Sequence, residues 1–283
     1  MPGPHPAPLA PPLRDEAASR FRALHAEFLV LPNPWDAGTA RLLADLGFAA
    51  IASSSAAQAW AEGKPDGAIG RKSAIAHAAM LSAASGLPVN GDFEAGFGIT
   101  PAEVADTIEA ALEAGVAGCS IEDTAHDRPE PIFDEIMSCR RLEAARDAVE
   151  RAGSDFVLTG RCEILAFDVP DRLAIACRRL KAYEAAGAHV VYAPGLTRAE
   201  DIERVLVEVS VPLSVIAGVG GVSDDLAALK ALGVSRVTLG SNLYKVALGA
   251  FVTAAEGLRE AERADLPGKL TSAFFDDRFE RKR

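Results

Sequence analysis

Aromatic residues make up only 6% of this 283-residue sequence, and cysteine occurs only at positions 119, 139, 162 and 177. No two cysteines have CxxC spacing, so neither a zinc ribbon nor a redox pair is indicated. Isolated thiols suit a reducing cytoplasm. Long apolar runs are also missing. None reaches the ~18 residues of a membrane span, which argues against a membrane location. The N-terminus, MPGPHPAPLAPPLRDE, has neither the basic start nor the unbroken apolar stretch of a signal peptide. Residues 1–14 read instead as a disordered, proline-rich tail. Positive charge is in deficit too. Forty Asp and Glu against 29 Lys and Arg give a net charge of -11. Such a surface repels phosphate backbones and argues against a nucleic-acid partner.

What the sequence does have is hydrophobic mass, 49% of its residues, carried by small and aliphatic side chains. Eight short apolar runs read as strands, at 28–34, 49–55, 88–94, 118–123, 155–163, 189–195, 213–219 and 235–241. Between them lie segments with helical periodicity, such as PAEVADTIEAALEAG (101–115) and DRLAIACRRLKAYEAAG (171–187). Several end in a glycine suited to a left-handed helix terminus. This alternation predicts parallel strands with crossover helices. A doubly wound open sheet alternates in the same way, but it commonly has fewer strands, and no GxGxxG follows the first one here. The expectation is an α/β fold, a (β/α)8 TIM barrel over residues 15–264.

In such a barrel the active site lies at the C-terminal strand ends. The polar residues there are Asn33 on the first strand, Ser53, Ser54 and Ser55 on the second, and Asn90, Asp92 and Glu94 on the third. The fourth has Ser120, Glu122 and Asp123, the fifth Arg161 and Glu163, the sixth Tyr192, and the eighth Ser241 and Asn242. Side chains alternate along a strand. Asp92, Glu94, Glu122, Arg161 and Glu163 therefore converge inward, while Cys119 and Asp123 face away. Several carboxylates cannot crowd together ionised without a compensating charge. A hard divalent cation with oxygen ligands resolves that conflict, and Mg²⁺ needs few direct carboxylates. Arg161 adds a planar fork for a substrate carboxylate.

The segments NPWDAGTARLLADLGFAAIASSSAAQAWAEGKPD, NGDFEAGFG, GCSIED and LTGRCE resemble the isocitrate lyase and phosphoenolpyruvate mutase superfamily, in the family's order, from about residue 21 to 260. The resemblance implies metal ligation by Asp92, Glu94, Glu122 and, through water, Asp66, with Glu94 replacing the second Asp of the usual motif. The expected ion is Mg²⁺, with Mn²⁺ as the alternative. Ser54 and Ser55 match the pair that holds a 2-oxo acid, and Arg161 completes the grip. The candidate substrate-binding set is Asn33, Ser53, Ser54, Ser55, Asp92, Arg161 and Glu163. The lyase loop with its acidic cysteine is absent. TAHDRPEPIFD (124–134) stands in its place, so the catalytic candidates are Arg161, Glu122, His126 and Arg128. The implied function is a Mg²⁺-dependent lyase of a small 2-oxo or 2-hydroxy dicarboxylate. The alternatives are a phosphonate mutase or hydrolase, toward which the glycine-rich AGVGGVS (217–223) leans, or a non-catalytic 2-oxo acid binding protein. The family also implies a homotetramer whose extra C-terminal helical segment is exchanged between subunits. The C-terminal segment 265–283 offers Leu270, Phe274, Phe275 and Phe279 as an apolar helical face for an oligomer.

Overall fold

A computed structural model describes residues 11–125, 131–259, 266 and 268–279, with backbone alone over 11–15. In chain order the elements are α1 (Pro11–Leu24), β1 (Leu29–Leu31), α2 (Ala37–Asp45), β2 (Ile51–Ala52), α3 (Ser55–Ala61), α4 (Arg71–Ser85) and β3 (Val89–Asp92). Then follow α5 (Pro101–Glu113), β4 (Gly118–Glu122), α6 (Glu135–Arg151), β5 (Val157–Arg161), α7 (Arg172–Ala185) and β6 (Val190–Tyr192). The last are α8 (Ala199–Glu208), β7 (Leu213–Ile216), α9 (Leu226–Leu232), β8 (Arg236–Thr238), α10 (Asn242–Arg259) and α11 (Ser272–Phe279). Each predicted strand contains an observed one. Helix α1 begins at Pro11, inside the segment read as a tail. No described helix is long and apolar enough to cross a membrane.

All seven strand pairings are parallel, in the order β1-β8-β7-β6-β5-β4-β3-β2. The sheet closes between β1 and β2 through Ala52 N donating to Pro32 O at 3.0 Å. Two prolines flank Asn33 and cannot donate, which keeps β1 short. The Asn33 side chain supplies the missing bonds. Its Nδ2 donates to Ser53 O at 2.9 Å, and its Oδ1 accepts from Thr238 Oγ1 and Leu239 N.

The helices form where caps permit. Thr100 and Glu103 make a capping box before α5, with Pro101 in its first turn. Asp36 and Thr39 do the same for α2. Outward strand residues such as Ile51, Val89, Ile121, Leu158 and Val215 pack against Leu81, Ile108, Leu142, Leu180 and Val205 of the helix ring. Below the barrel, Phe21 of α1 is fully buried and packs among Leu29, Leu31, Ala50, Val157 and Val190. Gly118 makes room for it, since a Cβ there would lie 2.9 Å from the Phe21 ring and 2.6 Å from Val157 O. The lower end is thereby closed by apolar packing, so the strands' C-terminal ends are the open face.

Helix α11 packs on α2 of the same chain. Arg278 pairs with Asp45 at 2.7 Å, and the Arg41 guanidinium stacks on the Phe279 ring. Phe274, Phe275 and Phe279 thus find half-burial without a neighbouring subunit, whereas Leu270 precedes the helix and stays exposed. The larger unpartnered surface belongs to α10. None of its residues is buried, and Val246, Phe251, Val252 and Leu258 are exposed.

Candidate active site

The segment after β3 bends sharply at the barrel mouth. Glu94 and Phe97 adopt left-handed backbone conformations, with φ of 47° and 53°. Non-glycine residues take this conformation at a cost of about 1–2 kcal/mol each, so the surroundings must impose it. They do. Thr107 Oγ1 donates to Gly96 O at 2.7 Å. Arg141 of α6, 1% exposed, donates to Ala95 O and to Gly98 O, while its guanidinium stacks 3.9 Å from the Phe133 ring centroid. Glu122 N donates to Glu94 O at 2.9 Å. The effect is to turn the Glu94 carboxyl toward β4.

Alternation delivers the rest. Arg161 Nη1 lies 3.3 Å from Asp92 Oδ1 and 3.2 Å from Glu122 Oε2, and Arg161 Nε donates to Glu163 Oε1. Burial alone would weaken the Arg161 charge, but Glu122, Glu163 and Asp92 together hold its pKa well above the usual range. The predicted convergence of inward residues is therefore present, with part of the compensating charge supplied by Arg161 itself. With Nε and Nη1 engaged, Nη2 has no protein partner among the described residues, so Arg161 offers one edge nitrogen rather than a free fork.

The opposite face of β4 holds Asp123. It is 2% exposed and accepts from Glu163 N at 2.8 Å, Arg179 Nη1 at 3.0 Å and Tyr183 Oη at 2.6 Å. This network behind the strands fixes where Glu163 stands.

The serines have separate tasks. Ser55 donates from both its amide and its hydroxyl to Asp92 Oδ2 at 2.9 Å. Ser53 Oγ accepts from Asp92 N at 2.8 Å. Ser54 caps α3 by accepting from Ala57 N at 3.3 Å. Asp66 lies on the loop after α3 and lines the same mouth.

Two cavities of about 210 and 200 Å³ share Ser55, Asp66 and Arg161. The outer one carries Glu94, Glu122, Thr124 and Glu163. The inner one runs into the barrel past Asn33, Ser53, Asn90, Asp92, Ser120 and Tyr192 to Arg236. His126 and Arg128 lie outside the described residues. Cys119 is buried among apolar residues of the helix ring, as its parity requires, and Cys139 is in α6. Three amides of the glycine-rich turn after β7 already have acceptors within the protein. Val219 N and Gly220 N donate to Ser223 Oγ and Asp224 Oδ1, and Val222 N donates to Thr197 O. Arg141 and Arg236 were missed as functional candidates, though Arg236 shares inward parity with Thr238 in SRVTLGS.

The cluster carries more negative charge than Arg161 can balance. Burial, with Asp92, Glu122 and Asp66 nearby, pushes the Glu94 carboxyl up to about 8 against Arg161's opposing pull. Glu122 is also pushed up by burial, with Glu163 and Asp92 adding to it. Glu94 Oε1 is buried without a hydrogen-bond partner among the described residues. Among the described residues no three His, Cys, Asp or Glu form a ready-made metal cage. Asp92, Glu94 and Glu122 are the carboxylates that could hold a hydrated hard cation there.

The sequence profile of the phosphoenolpyruvate phosphomutase family matches residues 21–259. The chain belongs to the phosphoenolpyruvate mutase and isocitrate lyase superfamily. A superfamily structure from Burkholderia cenocepacia J2315, described as a lyase/mutase, is 42% identical. It superposes with a TM-score of 0.90 over 95% of this chain and 97% of that one. The 2-methylisocitrate lyase of Halalkalibacterium halodurans is 31% identical, covering 72% of this chain and 68% of its own. The oxaloacetate decarboxylase of Chromohalobacter salexigens is 30% identical, covering 86% and 85%.

Proposed function

We propose that this superfamily member is a Mg²⁺-dependent lyase that breaks a C–C bond in a small 2-oxo or 2-hydroxy dicarboxylate. The observation that carries this reading is the under-compensated carboxylate cluster beside an arginine with one edge free. The site thus offers a seat for a cation and a seat for a carboxylate next to each other. Two relatives, named a lyase and a decarboxylase, support the same bond class. The internally bonded amides of the glycine-rich turn favour it over a phosphonate substrate.

Glu94, Glu122 and Asp92 would hold the cation, with Asp66 at its water shell. A divalent cation held there would withdraw electrons from a 2-oxo group and so ease cleavage of the adjacent bond. The chain's own residues do the remainder. Arg161 Nη2 binds the substrate carboxylate. Ser55 and Ser53 hold Asp92 in place, and Asp123 does the same for Glu163. Glu94 carries its proton at neutral pH in the metal-free site and gives it up when the site is loaded. The exposed apolar residues of α10 support a homo-oligomer, with a tetramer as the family expectation, and the free cysteines suit a reducing cytoplasm.

The test is a panel of oxaloacetate, 2-methylisocitrate, 2,3-dimethylmalate and phosphonopyruvate, assayed with Mg²⁺ for pyruvate release. Turnover of a carbon acid, lost in Asp92→Ala, is expected. Tight 2-oxo acid binding without turnover of any would replace the enzyme by a binding protein.

A further inference from the structure

The inner cavity ends on a charge that the proposed chemistry has not used. Arg236, the first residue of β8, is 2% exposed and lines the cavity that also borders Asp92 and Arg161. Its Nε donates to Ser214 Oγ at 3.0 Å, and its Nη1 lies 3.5 Å from His25 Nε2. Neither partner is anionic. Burial and the nearby Arg236 charge push His25 down to about 4, so that ring is neutral. Among the described residues Arg236 forms no ion pair, and Nη2 has no hydrogen-bond partner although it is not a sealed, orphaned atom. Two other arginines packed inside the barrel wall do have carboxylate partners. Arg179 pairs with Asp123 at 3.0 Å, and Arg161 is ringed by three carboxylates.

Register places Arg236 in line with the active site. Arg161 pairs with Tyr192, Tyr192 with Ser214, and Ser214 with Arg236, along one row across β5, β6, β7 and β8. Small side chains such as Ala52 and Ser120 leave the space between them open, where a TIM barrel commonly carries bulky branched residues. Asn90 Oδ1 and Thr159 Oγ1 are buried on inward positions of β3 and β5 without partners among the described residues. A desolvated, unpaired cation is costly unless an anion reaches it.

We propose that Arg236 forms the floor of the substrate cavity and binds a carboxylate-class anion there, either the far carboxylate of the dicarboxylate substrate or a free small anion. In the first case the reading rests on the function proposed above. Arg161 and the cation seat then hold the 2-oxo acid end, and Arg236 selects acids that carry a second carboxylate.

The experiment uses full-length, Mg²⁺-loaded protein and three probes: pyruvate, the oxaloacetate analogue 3,3-difluorooxaloacetate, and sodium formate at constant ionic strength. Calorimetry should find the analogue about ten- to a hundredfold weaker on Arg236→Gln, the scale of one charged hydrogen bond, with pyruvate unchanged. If the occupant is a free anion, formate should stabilise the wild type saturably and leave Arg236→Gln unmoved, with both 2-oxo acids unaffected. A wild type that responds to formate through Arg236 but binds neither 2-oxo acid would sink the functional proposal and leave the anion site standing. Should Arg236→Gln not fold, Arg236→Lys keeps the charge without the planar fork and should weaken the same ligand several-fold. The inference is overturned if a folded Arg236→Gln matches the wild type with all three probes. It is equally overturned if the wild type shows no saturable response to formate and binds the analogue no tighter than pyruvate.

Discussion

Replacing Glu94 by Gln keeps the shape of a half-buried side chain and removes its charge. In the metal-free protein the folded state holds this carboxyl near 8, against an ordinary value of 4.5. Below the ordinary value the group is protonated whether the chain is folded or not, so it adds no penalty. As pH rises from there to about 8 the unfolded chain ionises while the folded one resists, and stability falls. Above 8 the full penalty is present. The gap corresponds to about 4–5 kcal/mol. Glu94→Gln lacks this penalty. Near pH 5 the two proteins should therefore be about equally stable. Near pH 9 the metal-free variant should be more stable by about 4–5 kcal/mol, a melting difference on the order of 10 °C for a chain of this size. Mg²⁺ should restore the wild type at high pH and do little for the variant. Thermal denaturation across that pH range, with and without Mg²⁺, measures both effects. Parallel pH curves for the two proteins, or equal stabilisation by Mg²⁺, would refute the cluster as a cation seat.

Loading Mg²⁺ at neutral pH should release about one proton, read by calorimetry in buffers of different ionisation enthalpy; no buffer dependence would contradict the raised Glu94. Arg161→Lys should weaken binding of the identified substrate by about 1.5–3 kcal/mol with turnover little changed, because a carboxylate keeps its charge through the reaction. A hundredfold loss of turnover at unchanged affinity would instead place Arg161 in the bond-breaking step. Arg141→Met should destabilise the fold by about 2–4 kcal/mol in urea denaturation, since the carbonyls of Ala95 and Gly98 lose their donor. An unchanged midpoint would mean that the strained loop holds itself. Truncation after residue 264 should reduce the size seen in light scattering if α11 contributes to assembly. An unchanged size would leave α10 as the surface that pairs.

The barrel was legible in the sequence because strand and helix periods differ, and eight alternations survive short-range scrambling. The convergence of Asp92, Glu122, Arg161 and Glu163 was legible for the same reason. Alternation fixes parity, and parity in a closed sheet means inside or outside. It also placed Cys119 and Asp123 on the far side. Parity says nothing about partners, however. Asn33 reads as a ligand-facing amide from its position, yet its bonds join β1, β2 and β8 where two prolines leave the backbone short of donors. Ser54 reads as half of a substrate grip, yet its hydroxyl caps α3.

Sequence alone thus determined the fold class, the inward faces of β3, β4 and β5 and the excess of carboxylates at the barrel mouth, because each follows from local periodicity. Tertiary structure decided how that charge is shared. Arg161 touches Asp92 of β3, Glu122 of β4 and Glu163 just beyond β5, and Glu94 is left short of compensation by a loop that Arg141 holds from α6. It also decided that Arg236, an unremarked strand residue in the chain, ends an internal cavity without a counter-charge among the described residues. Burial and charge pairing depend on which residues distant in sequence arrive together, and no local pattern encodes that.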